Sequence, residues 1–114
     1  MNESDYVKIA VFVPESHADA VREAIGLAGA GKIGNYSYCT SSSKSVGRFK
    51  PENGAHPNVG EIGKIEIVAE EKIETVCKRD KLDDVYKAIK KVHPYEEIAL
   101  DVWSLEKISI SADK

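Results

Sequence analysis

The sequence predicts an α+β fold in which strands and helices follow one another in the order β-α-β-β-α-β. Two stretches with apolar residues at helical spacing, near residues 18–28 and 82–92, lie between strand-like runs. A chain of 114 residues fits one domain and buries about two-thirds of its unfolded surface. We therefore expect residues 1–114 to form one domain, with a folded core at residues 6–105 and a frayed tail at residues 106–114.

The first strand is predicted at residues 6–13 and the first helix directly after it. Val7, Ile9, Val11 and Val13 alternate along this run, and apolar residues on the other parity predict a central strand. Pro14 ends the strand. Ser16 is the predicted N-cap of a helix that closes in the glycine-rich turn at residues 29–31.

The second and third strands are predicted to be separated by a long loop. Residues 36–40 alternate and contain strand formers, and residues 47–49 are a candidate extension of that strand. The rest of residues 41–63 is rich in Ser, Gly, Pro and Asn, which is typical of loops. Residues 64–78 predict one long strand, with a bend or bulge at Glu70 and Glu71 because no turn dipeptide interrupts the run. We interpret the glutamates of this strand as a solvated face.

The second helix is predicted from an N-cap at Asp80 to the stop at Pro94, and residues 98–105 form the last strand. This order is that of a ferredoxin-like sandwich, in which two helices cover one face of a four-stranded antiparallel sheet. The other sheet face then needs cover, which predicts self-association. Its candidate apolar residues are Phe12, Val68, Val76 and Trp103.

Composition and charge exclude several classes of function. The net charge of −3 argues against nucleic acid as a partner, because such proteins carry a basic excess. No run approaches the length of a membrane span, and the start lacks the positive and apolar regions of a secretory signal. We expect a cytoplasmic protein in which Cys39 and Cys77, both within strand-like runs, remain free thiols.

A partial phosphate-loop motif occurs at residues 26–32. It matches the first seven positions of the P-loop, but Ile33 stands where Ser or Thr would hold magnesium. The motif also follows a helix and opens a strand, the reverse of the phosphate-binding arrangement. We therefore interpret it as a glycine C-cap, although the backbone N–H groups of such a turn could form an anion nest.

The pentapeptide at residues 93–97 is the strongest candidate for a site. His93 and Glu96, or alternatively Glu97, together with His56 from the long loop, are a workable ligand set for a divalent metal. The alternative is that His93 and Tyr95 form local hydrogen bonds that fix the exit from the helix. Arg48, beside an aromatic residue, suits either a small anionic ligand or a subunit contact. We identify no catalytic residue.

Several islands of the sequence together resemble a known family. They are the glycine-rich turn and its continuation, the segment around Arg48, the start and middle of the third strand, and the His93 pentapeptide. The residues concerned are Gly29-Ala30-Gly31-Lys32-Ile33-Gly34-Asn35-Tyr36 with Cys39, Gly47-Arg48-Phe49-Lys50-Pro51, Pro57, Gly60, Gly63-Lys64-Ile65-Glu66, Glu70-Glu71-Lys72-Ile73-Glu74, and His93-Pro94-Tyr95-Glu96-Glu97 with Ala99 and Asp101. They resemble the PII-like, CutA-like domain inserted into Nif-three-like (NGG-interacting-factor-like) metal-binding proteins, and we expect the insert to stand alone here.

The resemblance implies a ferredoxin-like fold and a homotrimer with its sheets packed inward. It does not carry over the two-metal site of the full-length proteins, whose ligands lie in flanking domains. Residues 42–46, which are often glycine-rich in that family, read Ser-Ser-Lys-Ser-Val here. A ligand role of this loop is therefore not implied.

These inferences lead to one preferred function and two alternatives. We expect a small non-enzymatic oligomer with a regulatory or binding role that takes a small ligand, a divalent metal or a protein partner in clefts between subunits. The alternatives are a metal-dependent hydrolase, in which His and Glu ligands hold an ion that activates water, and a purely structural oligomer. The predicted lining of the clefts is Gly31, Gly34, Tyr36, Arg48, His93, Tyr95 and Glu96.

Overall fold

The computed structural model describes residues 5–106, so the predicted tail at residues 106–114 lies outside them except for Glu106. Four strands and two helices occur in the predicted order. A short 3₁₀ turn precedes each helix. The strands are β1 (Tyr6–Pro14), β2 (Ser41–Phe49), β3 (Glu66–Lys78) and β4 (Leu100–Ser104), and the helices are α1 (Ala18–Leu27) and α2 (Leu82–Val92).

The four strands form one antiparallel sheet in the order β2-β3-β1-β4. This is the ferredoxin-like arrangement, so the predicted fold class is confirmed. β1 lies between β3 and β4, as its two apolar faces predicted. The core is the layer between the helices and one sheet face. It contains the fully buried Val7, Ile9, Val11, Val13, Val21, Ile25, Ile73, Val85 and Ile89.

No helix within residues 5–106 covers the opposite sheet face. The strand register places the four predicted residues Phe12, Val68, Val76 and Trp103 on this open face, which confirms that expectation. Charged groups lie among them. Lys8 forms an ion pair with Glu74 at 3.2 Å. The open face is therefore a mixed apolar and charged surface.

The second strand lies further along the chain than predicted. Residues 36–40 form no strand, and β2 runs over residues 41–49, most of which have the composition of a loop. Its polar sequence pairs along its whole length with β3. Pairing with an established strand overrides local composition at a sheet edge, where the side chains can remain in water. Cys39 consequently lies outside any strand, and both it and Cys77 are free.

The predicted helix caps at Ser16 and Asp80 are wrong. Each residue lies inside the 3₁₀ turn that precedes its helix, and neither helix has a side-chain cap at its start. Ser16 instead hydrogen-bonds the imidazole Nδ1 of its neighbour His17 at 2.8 Å. Tight turns of this kind are frequent at helix N-termini and satisfy some of the free amides.

The third strand is continuous, and the predicted bulge at Glu70 and Glu71 is absent. Its register with β1 and β2 runs without a break across both residues. The last strand begins at Leu100, two residues later than predicted. No helix among the described residues is long and apolar enough to cross a membrane.

The end of the β2–β3 pair projects beyond β1, which stops opposite Glu70. We call the pairing of residues 46–49 with residues 66–69 the arm. Val46 and Ile67 are 70% and 58% exposed on the arm, and Ile65 just before it is 56% exposed. At its base Arg22 of α1 bonds Glu71 at 2.7 Å and Ser42 at 3.1 Å. The arm is therefore anchored at its base and exposes apolar side chains alongside the charged Arg48 and Glu66.

Candidate ligand-binding site

The pentapeptide of residues 93–97 lies where α2 gives way to an extended chain. His93 adopts an extended backbone with φ −80° and ψ 133°, because Pro94 disfavours the helical conformation of the residue before it. Its N–H still donates to the carbonyl of Ile89 at 2.9 Å, which completes the helix. The chain then turns across the end of β1 toward β4.

His93 is buried, and both nitrogens of its ring have partners. Nδ1 accepts the N–H of Tyr95 at 3.1 Å, so the proton lies on Nε2, which donates to the carbonyl of Phe12 at 2.7 Å. Burial lowers the pKa of His93, although the bond to Phe12 and the charge of Glu70 oppose this effect. The neutral ring therefore joins the pentapeptide to β1 through its two hydrogen bonds.

The phenol of Tyr95 reaches the open face of the sheet. Its hydroxyl donates to Oε2 of Glu70 at 2.8 Å, and its ring meets Phe49 edge to face with centroids 5.7 Å apart. Burial, followed by the hydrogen bond to Glu70, raises the pKa of Tyr95. Tyr95 is therefore held as a neutral, oriented aromatic group that joins the pentapeptide to β2 and β3 at Phe49 and Glu70.

Glu70 is only 5% exposed, so our interpretation of it as part of a solvated strand face is wrong. Its carboxylate lies directly over the backbone of Gly47 on β2. A Cβ on Gly47 would come within 2.3 Å of the carboxyl carbon. Glycine inside a strand often marks a close approach of this kind, and that signal in the sequence could have revealed the contact.

We expect Gly47→Ala to displace the Glu70 carboxylate and to break its bond with Tyr95. Loss of one hydrogen bond to a charged group should lower the free energy of unfolding by about 1–3 kcal/mol. Urea unfolding of Gly47→Ala, Tyr95→Phe and the double variant measures the coupling. If the two losses simply add, Gly47→Ala does not act through the tyrosine, and the expected mechanism is wrong.

A cleft of about 210 Å³ opens beside this cluster. The loop between β2 and β3 forms one wall, and it is closed by the N–H of Gly63, which donates to the carbonyl of Pro51 at 2.7 Å. The backbone N–H of His56 donates to Oε1 of Glu96 at 3.0 Å, which ties the loop to the pentapeptide. The cleft is lined by Phe49, Lys50, Pro51, Ala55, Pro57, Asn58, Val59, Tyr95, Glu96 and Glu97.

The structure brings together only part of the predicted metal set. His56 meets Glu96, but through its backbone amide, and His93 uses both ring nitrogens in hydrogen bonds. Among residues 5–106 no group of three His, Cys, Asp or Glu side chains could hold a metal ion. A metal site formed by His93, His56 and Glu96 stays a prediction. The hydrogen bonds of His93 agree with the alternative, in which this residue fixes the exit of the chain from the helix.

The glycine turn lies at the other end of the sheet. The N–H of Gly31 donates to the carbonyl of Val76 at 2.7 Å, and its carbonyl accepts the N–H of Cys39 at 2.9 Å. The Gly31 amide is therefore committed to the fold. Gly34 lies in a tight turn whose ends, Ile33 and Tyr36, exchange two hydrogen bonds of 3.0 Å, and the Tyr36 side chain is exposed.

Within one chain the predicted ligand residues do not form a single site. Arg48 pairs with Ile67 on the arm, and its side chain lies on the sheet face opposite to Phe49. Gly31 meets β3 at Val76, nine residues away from Ile67, which corresponds to about 30 Å along a strand. Tyr95 and Glu96 share a cleft, whereas Gly31, Gly34 and Tyr36 are remote from it.

Comparisons with known proteins place the chain within longer relatives. It is 54% identical over 98 residues to a GTP cyclohydrolase 1 type 2 homologue of Halalkalibacterium halodurans, and the match covers 86% of this chain but 26% of the relative. A solved Bacillus cereus protein related to NIF3 superposes with a TM-score of 0.79 and 44% identity, over 94% of this chain and 27% of that one. No protein-family model matches.

More distant structures establish the fold alone. CutA of Archaeoglobus fulgidus superposes with a TM-score of 0.65 at 17% identity, over 92% of this chain and 91% of that one. PII of Arabidopsis thaliana gives 0.60 at 18% identity, over 91% and 78%. The chain has a CutA/PII-like fold and is similar to one part of longer Nif3-related proteins. This domain spans about a quarter of the length of the curated relatives that it matches.

Proposed function

We propose that this PII/CutA-like domain is a non-enzymatic homotrimer with a regulatory or binding role, and that it takes a small ligand, a divalent metal or a protein partner near its subunit interfaces. The fold and the Nif3-like relatives support a small regulatory or binding domain. The observation that carries the binding role is the cleft between the β2–β3 loop and the pentapeptide, because it is concave and mostly apolar with a few polar groups.

The lining of the cleft indicates the chemistry of its ligand. Two prolines, Ala55 and Val59 form apolar walls, and the rings of Phe49 and Tyr95 meet edge to face at one side. Lys50 and Glu97 add opposite charges. A compact ligand with a flat apolar ring and one polar group would bury its ring against the aromatic pair.

Two surfaces support assembly. The open sheet face exposes apolar groups that a monomer would leave in water, with Trp103 47% exposed. The arm adds exposed Val46 and Ile67. In one chain Gly31 and Arg48 meet β3 at points about 30 Å apart. A ligand site that includes both residues therefore needs neighbouring copies of the chain. The resemblance to PII and CutA proteins makes the trimer the assembly that we propose.

The hydrolase alternative has no support in the described residues. A metal that activates water needs converging ligands and an open coordination position. The described residues hold no three-ligand cluster. The purely structural alternative predicts an oligomer that carries no ligand, and the following experiment tests it.

Native mass spectrometry on protein purified without chelator tests assembly and ligand together. We expect a trimer that carries an added mass, either as purified or after addition of divalent metals and nucleotides. Ala55→Trp should fill the cleft and abolish the added mass, since Ala55 lines it. Ala20→Trp places the same side chain on the exposed face of α1 and should leave the adduct unchanged.

Three results would contradict the proposal. A monomer at micromolar concentration would remove the trimer. A trimer that carries no adduct under any of these conditions would remove the ligand and favour the structural alternative. An adduct that survives Ala55→Trp would place the ligand outside the cleft.

A further inference from the structure

We propose a second binding site, independent of the proposed function, that takes the phosphate group of a small phosphorylated molecule. Lys32, Lys78 and Lys81 line one cleft at the end of the sheet remote from Tyr95. Lys32 follows α1, Lys78 ends β3, and Lys81 immediately precedes α2. Lysines from three separate parts of the chain thus line one cleft.

The cleft is a shaped cavity, with a volume of about 250 Å³. Its remaining lining consists of Tyr6, Gly29 and the buried Cys77. Gly29 has φ +97°, and a Cβ added to it would meet no atom within 4 Å, so the backbone there borders open space. The combination of an aromatic residue, an open backbone and three cations suits a ligand with a small organic part and an anionic group.

The three lysines have no carboxylate partner within residues 5–106. None takes part in the ion pairs formed by the described residues, whereas Lys8, Lys44 and Lys72 do. All three lysines are exposed, so an anion from solution can reach them and is attracted by their summed positive charge.

Three other charged residues, Asp5, Arg79 and Asp80, line an adjoining pocket that shares Tyr6 and Lys78 with the cleft. Asp80 is close enough to add to the effect of burial in raising the pKa of the Cys77 thiol. Arg79 contacts the Ser104 hydroxyl at 3.4 Å. Two carboxylates against three lysines and Arg79 leave this end of the sheet cationic. A phosphate dianion matches this excess better than a single carboxylate does, and lysine binds phosphate as a compact point charge.

Phenyl phosphate is a suitable probe, because it joins an aromatic ring to a phosphate dianion. At constant ionic strength we expect it to shift the backbone amide resonances of residues 29–32 and 77–82 in a heteronuclear NMR titration. The triple variant Lys32→Gln, Lys78→Gln, Lys81→Gln should bind about tenfold more weakly or worse, since it lacks the charge-assisted hydrogen bonds. Its own spectrum verifies that it remains folded.

The matched control removes three exposed lysines of α2 by the changes Lys87→Gln, Lys90→Gln and Lys91→Gln. It alters net charge equally and should bind phenyl phosphate as the unmodified protein does. Equal weakening in both triple variants would reduce the effect to general charge and overturn the site. Shifts confined to Phe49, Tyr95 and their cleft, or no shifts at millimolar probe, would overturn it as well. None of these results bears on the trimer or on the Tyr95 cleft, which native mass spectrometry tests separately.

Discussion

Replacement of Gly31 by Ala is expected to lower the free energy of unfolding by about 3 kcal/mol or more. Gly31 has φ +77°, a region that costs an L-residue about 1–2 kcal/mol. A Cβ there would also lie 2.8 Å from both N and O of Cys39. These are backbone atoms fixed by bonds to Gly31 itself and to the Thr75 hydroxyl at 2.6 Å, so they cannot move away cheaply.

Thermal or urea unfolding measures this loss, and Gly34→Ala is the matched control. Gly34 also has positive φ (+57°), but no atom lies within 4 Å of a Cβ placed there. Gly34→Ala should therefore lower the free energy of unfolding by only about 1–2 kcal/mol, the cost of the positive φ angle. Equal destabilisation by both variants would show that the contact with Cys39 contributes nothing, contrary to the geometry.

Stability should fall as the pH is lowered below about 6.5, and His93 should be a principal cause. Its pKa is below 6.5 in the folded chain because the ring is buried, while in the unfolded chain it is near 6.5. Between these two values the unfolded state binds more protons, so the free energy of unfolding decreases with falling pH. The slope reaches at most about 1.4 kcal/mol per pH unit for one group and vanishes below the folded pKa.

His93→Gln tests this assignment in two ways. At pH 7.5 it should destabilise the fold by about 2–3 kcal/mol, because the carbonyl of Phe12 and the N–H of Tyr95 lose well-placed partners. Between pH 7.5 and 5.5 its unfolding free energy should change less than that of the unmodified chain. His56→Gln, at an exposed position, should keep the full pH dependence. An unchanged slope in His93→Gln would assign the titration to another group.

Much of the fold could be predicted because its signals are local and periodic. The alternation of β1 and the helical spacing of α1 and α2 fixed element type and order. Residues 64–78 predict one strand, and β3 at residues 66–78 confirms it. The predicted bulge at Glu70 failed because two adjacent charged residues in a central strand resemble an interruption, although their carboxylates have partners at Tyr95 and Arg22.

The strand β2 and the details of the site depend on contacts that the sequence does not display. Residues 41–45 contain four serines and a lysine, and only their register against β3 makes them a strand. The pentapeptide predicts a metal site or a local hydrogen-bonding role, and the sequence alone does not decide between them. That role rests on Phe12 and Glu70, which lie 81 and 25 residues from their partners in the chain.

The first and last strands of the domain are neighbours, and this has a consequence for longer proteins that contain it. The N–H of Leu105 donates to the carbonyl of Tyr6 at 3.3 Å, and Val7 pairs with Ser104. The chain therefore enters and leaves the domain about 5 Å apart, the spacing of paired strands. The domain could therefore be inserted into a surface loop of a longer protein, and the two ends of that loop would stay close together. Acquisition or loss of the unit would then demand little rearrangement of the host's core.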